Sequence, residues 1–524
     1  MYRRGPGRSA AYVPLVLLFL FANFLGGLAV YAADVEPQAQ DEAFVYLPMV
    51  GAGALRSMPI PPPHENPGEN PGENPGENPG QNPEESGAAT FMEPQLKTGS
   101  PDIAVDSAGG LHVAYRYHVP VAEGPDAIYA YCPPPASQCS DQSRWQRVNL
   151  GGPVDSVQLA LTPAGKPRIL AIGPDDETLY TLYWYGECDA QCLSADSWQF
   201  VHVTSVYDTI DLTGYYLPER SFALDPQGRP RFVFNNTDYL TEPDLYGGYY
   251  AACDSGCLDA GNWSVTRFTH QLMDDIYLLD HEAISSPSLT FTTDGRPRVV
   301  AHLFAAEFTG DENGVYYFAC DAGCEDDANW KRAWVFERGG GPYPFWDIAV
   351  DKQNRPRIAV YKEGTLDDTG RRLYYLSCDA QCESSGSWSA VNLGLPQQYG
   401  DGVDLELDAQ GRPRMAYMDG SDNLRYSWCD AGCTAAENWQ HGVVDLSSDL
   451  EAEYPVARPV TCDAGLWDTY APALALDAQG NPRIVYDGSY KARCQYVDPN
   501  DPTDVYDRFH EIWHSVRLVA FAQP

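Results

Sequence analysis

The chain has 524 residues and carries 73 acidic against 34 basic side chains, a formal net charge of −39. A surplus of that size repels phosphate backbones and anionic lipid surfaces, which argues against nucleic-acid binding and against a membrane-surface role. It suits a soluble extracellular protein, a cation, or a cationic partner.

Residues 1–33 read as a secretion signal: Arg3, Arg4 and Arg8 precede the apolar run Val13–Val30, and the small residues Ala32 and Ala33 offer a cleavage point. An uncleaved signal anchor is the alternative reading, because the run is just long enough to span a bilayer. No later segment approaches a membrane span, so no membrane insertion is expected once the signal is removed. Residues 34–100 read as a disordered linker. Its ENPG period between His64 and Gly87 has nothing apolar to bury, and Pro59–Ser86 in an extended proline-rich form would reach roughly 80 Å at about 3.1 Å per residue.

Residues 101–524 are repetitive. Seven related stretches recur at intervals of about 60 residues: Asp102–Tyr115, Leu159–Ala171, Phe222–Phe234, Leu289–Ala301, Asp347–Tyr361, Leu405–Tyr417 and Ala473–Tyr486. Each is two short apolar runs joined by a turn such as Asp408-Ala-Gln-Gly411-Arg-Pro413-Arg414. The acid accepts backbone N–H groups and the glycine supplies the left-handed residue of a short hairpin. Asn354 stands in the glycine place of the fifth copy, and asparagine is the next residue to tolerate that conformation. An aromatic run, a Cys-x-x-x-Cys loop and then Trp follow, and the first Cys lies ten residues before the Trp in five copies. This second half reads as another hairpin.

Two hairpins per repeat and seven repeats predict an all-β, seven-bladed β-propeller of four-stranded antiparallel blades. Trp145, Trp198, Trp263, Trp330, Trp388, Trp439 and Trp513 are then equivalent core residues, with the seventh blade built from the C-terminal stretch. The fourteen cysteines pair within this scheme as Cys132/Cys139, Cys188/Cys192, Cys253/Cys257, Cys320/Cys324, Cys378/Cys382, Cys429/Cys433 and Cys462/Cys494. Behind a secretion signal such an even set reads as disulfides. Pairs on separate blades cannot converge on one metal, so the cysteines imply no metal site. The repeated arginines 168, 231, 298, 357, 414 and 483 sit beside the turn and are expected to bond turn carboxylates or carbonyls.

The pattern LALDxxGxPRIxY…CDAxC…W resembles secreted bacterial seven-bladed propellers related to sialidase-like and BNR-repeat proteins, over Asp102–Phe521. The resemblance implies the fold. Where sialidases carry an Asp box, Ser-x-Asp-x-Gly-x-x-Trp, this chain keeps Asp-x-Gly at Asp254, Asp321 and Asp430 but moves each Trp to seven residues beyond the Gly, with the cysteine loop in place of the box.

In such a ring the regular turns and cysteine loops share one face and the irregular connections share the other, where function is expected. The candidate ligand-binding residues there are Tyr239, Asp274, Asp275, Asp280, Glu282, Tyr343, Trp346 and Tyr454. Rings beside carboxylates suit a carbohydrate or protein ligand, so the expected function is a secreted or cell-surface binding or adhesion module, monomeric and non-enzymatic. The alternatives are an extracellular carbohydrate-active enzyme, a sialidase-like glycoside hydrolase or polysaccharide lyase using a carboxylate pair, and a purely structural surface component. No catalytic residue and no cofactor is expected. Ca²⁺ is the one ion with oxygen-rich candidates, at Asp419–Asn423 and Asp498–Asp504.

Overall fold

Strands with apolar side chains on both faces must be covered on both sides, and a ring of radially stacked sheets does this. The computed structural model describes residues 90–91, 97–118, 125–174, 180–207, 220–236, 247–269, 282–305, 314–337, 345–362, 372–394, 402–419, 421, 423–453, 462, 465–497 and 505–523. The secretion signal and the ENPG linker lie outside them. Residues divide into two units, Met1–Asn74 and Pro75–Pro524, and the second holds all the described structure.

Strand β1 (Thr90–Phe91) comes first, and its place in the ring becomes clear only at the end. Blade 1 is β2 (Lys97–Val105), β3 (Leu111–His118), β4 (Pro125–Cys132) and β5 (Gln146–Gly151). Blade 2 is β6 (Ser156–Leu161), β7 (Pro167–Pro174), β8 (Tyr180–Glu187) and β9 (Gln199–Tyr207). Blade 3 is β10 (Phe222–Leu224), β11 (Pro230–Asn236), β12 (Gly247–Cys253) and β13 (Trp263–Arg267). Blade 4 is β14 (Glu282–Phe291), β15 (Pro297–Ala305), β16 (Gly314–Cys320) and β17 (Trp330–Glu337). Blade 5 is β18 (Phe345–Val350), β19 (Pro356–Lys362), β20 (Arg372–Ser377) and β21 (Ser389–Asn392). Blade 6 is β22 (Val403–Leu407), β23 (Pro413–Met418), β24 (Leu424–Cys429) and β25 (Trp439–Asp445), and is followed by the short helix α1 (Ser447–Glu453). Blade 7 contains β26 (Leu466–Leu476), β27 (Pro482–Val497) and β28 (Val505–Ala520). All seven sheets are four-stranded, and every pairing is antiparallel to its neighbour in the manner of a meander.

The turn chemistry is as the sequence predicts. Asp225 accepts backbone N–H bonds from Gln227 and Arg229 at 2.9 and 3.0 Å, and Gly228 takes φ +79°. Asn354 takes φ +63° in the same place of blade 5. Each repeated arginine then ties the two turns of its blade together. Arg298 donates to the Cys320 carbonyl at 3.0 Å and pairs with Asp321 at 2.7 Å; Arg357 does the same with Cys378 and Asp379, both at 2.8 Å. Blade 1 has His112 at this place, held between Asp106 and the Tyr129 hydroxyl.

Adjoining blades meet through aromatic contacts. The Trp198 ring meets Tyr129 of the preceding blade edge-on at 5.2 Å, and Trp263 meets Tyr185, Trp330 meets Tyr250 and Trp388 meets Tyr317 in the same way.

All seven expected disulfides are formed: Cys132–Cys139, Cys188–Cys192, Cys253–Cys257, Cys320–Cys324, Cys378–Cys382, Cys429–Cys433 and Cys462–Cys494. In the first six blades the carbonyl of the second cysteine of the loop also accepts the indole N–H of the tryptophan that follows. Trp145 donates to Cys139 at 2.8 Å, Trp198 to Cys192 at 2.9 Å, and Trp263 to Cys257 at 2.8 Å. Trp330 donates to Cys324 at 3.1 Å, Trp388 to Cys382 at 2.9 Å, and Trp439 to Cys433 at 3.0 Å. Spacing alone could not show this bond, since it depends on the loop folding back over the ring. Burial within a pair is also unequal: Cys188, Cys378 and Cys429 are buried, whereas their partners Cys192, Cys382 and Cys433 are half-buried; Cys257 is buried along with Cys253.

Blade 7 corrects the sequence reading further. Its outer strand is β1, with Thr90 opposite Leu518 and Phe91 opposite Arg517. Trp513 is not a seventh equivalent of the loop tryptophans: it lies within β28, opposite Tyr490 of β27. The order Cys494 then Trp513 matches the other copies, but with a longer connection, because both residues belong to one long hairpin. Cys494 instead bridges to Cys462 ahead of β26. The residue in the usual cysteine place is Phe521, whose carbonyl accepts the Arg483 guanidinium at 3.0 Å. Strand residues therefore begin before position 101, inside the stretch assigned to the linker, because the ring needs a strand from the N-terminal side to complete its last sheet. Trp145 packs with Val485, Val516 and Leu518 and seals blade 1 against blade 7.

Replacing Trp330 by Ala removes its packing on Tyr250 and Phe268 and its bond to Cys324. The expected loss is about 3–5 kcal/mol, read as a lower urea midpoint with an unchanged slope.

Candidate functional site

The first residues of the inner strands line the central channel, and on β2, β6, β18 and β22 a polar side chain pins the backbone of the next blade. Asp102 accepts the Leu159 N–H at 2.7 Å, Gln158 accepts that of Phe222 at 2.8 Å, and Asp347 accepts that of Leu405 at 2.8 Å. Asp404 accepts the Leu474 N–H, and Ser288 donates to Asp347 at 2.6 Å. Between blades 1 and 7 the bond is of another kind: Thr98 of β2 accepts the Val516 N–H of β28 at 2.8 Å.

These pins gather carboxylates around one cation. Arg220, just ahead of β10, pairs with Asp404 and stands 3.8 Å from Asp347. Burial works against its charge, but Asp404, Asp347 and Asp102 outweigh that and hold it firmly protonated. The acids are pushed the other way. Burial, joined by the Asp347 charge and opposed by Arg220, raises Asp102 and raises Asp404 strongly. Glu406, on β22 and facing the channel, is raised by burial, against Arg220 and with Asp347 and Asp102, to about 7. The cavity here has a volume of about 540 Å³, and its lining includes Asp102, Gln158, Arg220, Asp347 and Glu406.

The cavity runs from this cluster toward the Asp-Gly turns at Asp408–Gln410 and Asp477–Gly480, whereas backbone geometry singles out the other side of the cluster, at the starts of the inner strands. Inner strands β2, β14 and β26 each carry a bulge, between Gly99 and Asp102, Ser285 and Ser288, and Tyr470 and Ala473. Within them Ser100, Ser286 and Ala471 take φ +50°, +48° and +55°, each directly before a proline. The other non-glycine residues with positive φ, Gln191, Asn354 and Gln381, lie in cysteine loops or hairpin turns. Among the described residues, then, only these three bulges put a side-chain-bearing residue into left-handed backbone within a strand.

Of the residues singled out from the sequence, Tyr239, Asp274, Asp275, Asp280, Tyr343 and Tyr454 lie outside the described residues, as does the whole of the oxygen-rich stretch 498–504. Glu282 opens β14 opposite Ala305. Trp346 is 6% exposed, and its indole N–H donates to the Ser286 carbonyl at 2.6 Å, so it braces the blade 4 bulge from blade 5. Asp419 spends its carboxylate on the Ser421 and Asn423 N–H groups and on Arg425. Among the described residues no group of three or more His, Cys, Asp or Glu is placed to hold a metal. Sequence reading passed over Asp102, Asp347 and Asp404, although the first two open the repeat text itself; Arg220 and Glu406 have no periodic signal at all.

No protein-family model matches the chain, and no curated protein matches it by sequence. Several solved structures are similar to it. They include the NanB sialidase of Streptococcus pneumoniae, with 10% identity, a TM-score of 0.35 and coverage of 84% of this chain and 70% of that one. A GH93 α-L-arabinofuranosidase of Fusarium graminearum shares 12% identity at a TM-score of 0.39, covering 66% and 92%. The polysaccharide lyase Uly1 shares 10% identity at a TM-score of 0.40, covering 82% and 91%. The fold likeness is what these comparisons give.

The raised carboxyl of Glu406 has a consequence for stability. An acid whose folded pKa lies above its unfolded value contributes stability that is complete below about 4.5 and lost as pH rises through about 7. Glu406→Gln should therefore match wild type near pH 4.5 and be more stable at pH 8, by about 1–3 kcal/mol. Denaturant melts at the two pH values check this, and an equal offset at both would contradict the assigned environment.

Proposed function

We propose that this chain is an extracellular propeller that binds carbohydrate at the mouth of its central channel, on the face opposite the cysteine loops. The observation that carries this reading is the set of strained bulges at Ser100, Ser286 and Ala471 around the Arg220 cluster. The inner strands β6, β18 and β22 pair with their neighbours without a register shift, and their pins form without such bulges. The bulges are thus not required to build a blade, and strain held where the fold does not need it marks functional surfaces. Seven disulfides fit the oxidising surroundings of a secreted protein.

A second reading, a carbohydrate-active hydrolase or lyase, is favoured by Glu406. A carboxyl raised to about 7 beside an arginine can hold a proton at neutral pH and deliver it to a leaving oxygen. The six repeated arginines do not support a carboxylate clamp of the sialidase kind, since each is already bonded to a backbone carbonyl and a carboxylate of its own blade.

The purified protein should be screened on a glycan array with and without Ca²⁺, and every bound glycan assayed for cleavage. A binding module retains its glycans in Glu406→Gln and cleaves none. An enzyme cleaves, and Glu406→Gln lowers kcat by about 100-fold or more while still binding. Silence on every glycan would contradict both readings and leave a protein ligand or a structural surface role.

A further inference from the structure

The outer strands carry a second aromatic feature away from the channel. Counting back from the first cysteine of each loop, one place on the third strand is occupied by Trp184 in blade 2, Tyr249 in blade 3, Tyr316 in blade 4 and Tyr374 in blade 5. The three tyrosines are covered. Phe234 stacks on Tyr249 with centroids 5.3 Å apart, the Arg332 guanidinium lies 5.7 Å over Tyr316, and Phe336 packs on Tyr374 at 4.7 Å. Trp184 is 38% exposed and larger than any of them; among the described residues the ring against it is that of His202, tilted at 5.1 Å. Tyr180 stands four residues earlier on β8, on the same face, and is 36% exposed. Half-buried Leu182 lies between them, while Thr181, Tyr183 and Tyr185 point into the core.

We propose that this strip, Tyr180–Leu182–Trp184 on the rim of blade 2, docks a neutral polysaccharide by stacking pyranose or furanose rings on the two aromatic faces. Alternation along the strand puts both rings on one face, spaced by four residues at about 3.3 Å each, or about 13 Å. His202, its cross-strand partner, fixes the indole from the side. A protein partner needs about 800 Å² on this side. Two rings that bury at most about 250 Å² each when wholly covered cannot supply that, whereas a sugar chain needs only the rings. The net charge of −39 disfavours anionic polysaccharides. The strip rests on the carbohydrate reading for its ligand class only, since the channel is a separate place.

The test is affinity electrophoresis of the full protein through gels containing arabinan, xylan, mannan or mixed-linkage β-glucan. At least one polymer should retard the wild type. Trp184→Ala should weaken that affinity tenfold or more, Trp184→Phe should restore part of it, and Trp334→Ala, which removes a different exposed indole, should leave it unchanged. Trp184 being a surface ring, melting temperatures of the variants should match wild type. Equal retardation of wild type and Trp184→Ala, or no retardation by any of the four polymers, would overturn the proposal. Calorimetry with short oligosaccharides reports on the channel separately. Its failure alongside Trp184-dependent retardation would overturn the channel reading and leave the rim standing.

Discussion

Each blade of this protein is covered by its neighbours, through aromatic contacts from blade 1 to blade 6, and none can cover itself. That constraint explains more of the structure than any single bond. The Tyr129–Trp198 contact and its successors run blade to blade, and the series holds only if the seventh sheet meets the first. The chain solves this with a strand from the N-terminal side, β1, laid on the edge of β28, and with Trp145 wedged against β27 and β28. Around the channel, blades 1, 2, 5 and 6 are joined to the next in polar form as well, by side chains that reach the backbone of the following blade.

The two faces of the ring use their charges differently. On the face of the Asp-Gly turns, arginines, acids, disulfides and indoles all bond within their own blade, so this chemistry is structural even though it dominates the sequence. At the opposite mouth, acids that pin blades crowd one another and share a single arginine. Their protonation is therefore tied to anything that brings charge into the channel. Bulges that force a non-glycine residue into left-handed backbone occur at three of the seven inner strands, at that mouth and nowhere else in the described strands.

Periodic features were legible in the sequence. Turn glycines with their Asn354 substitute, the cysteine pairs, the six loop tryptophans and the arginine bonding all recur with fixed spacing, and spacing survives without knowledge of tertiary contacts. Features that depend on the third dimension were not. The carbonyls of Cys192, Cys257, Cys382 and Cys433 serve the loop indoles as well as their disulfides close the loop, and backbone acceptors leave no mark in a sequence. Trp513 has the look of a seventh loop tryptophan because it follows a cysteine in the same order, yet it belongs to the β27–β28 hairpin, and the wider interval from Cys494 is the connection of that hairpin. Arg220 and Glu406 meet only because blades 3 and 6 face each other over the channel, and no local pattern announces that. Trp346, singled out as a ligand-facing ring, is instead a buried brace for Ser286. Trp184 went unnoticed because its place in the repeat is aromatic in four blades, and only packing decides which ring stays bare.

The central claim is that ligand meets this protein at the bulged mouth of the channel. Hydrogen–deuterium exchange, with and without a glycan that binds, tests it most directly. The account predicts new protection at the starts of the inner strands, around residues 98–103, 220–224, 286–289 and 471–474. Protection confined to the Asp-Gly turns and cysteine loops would contradict it.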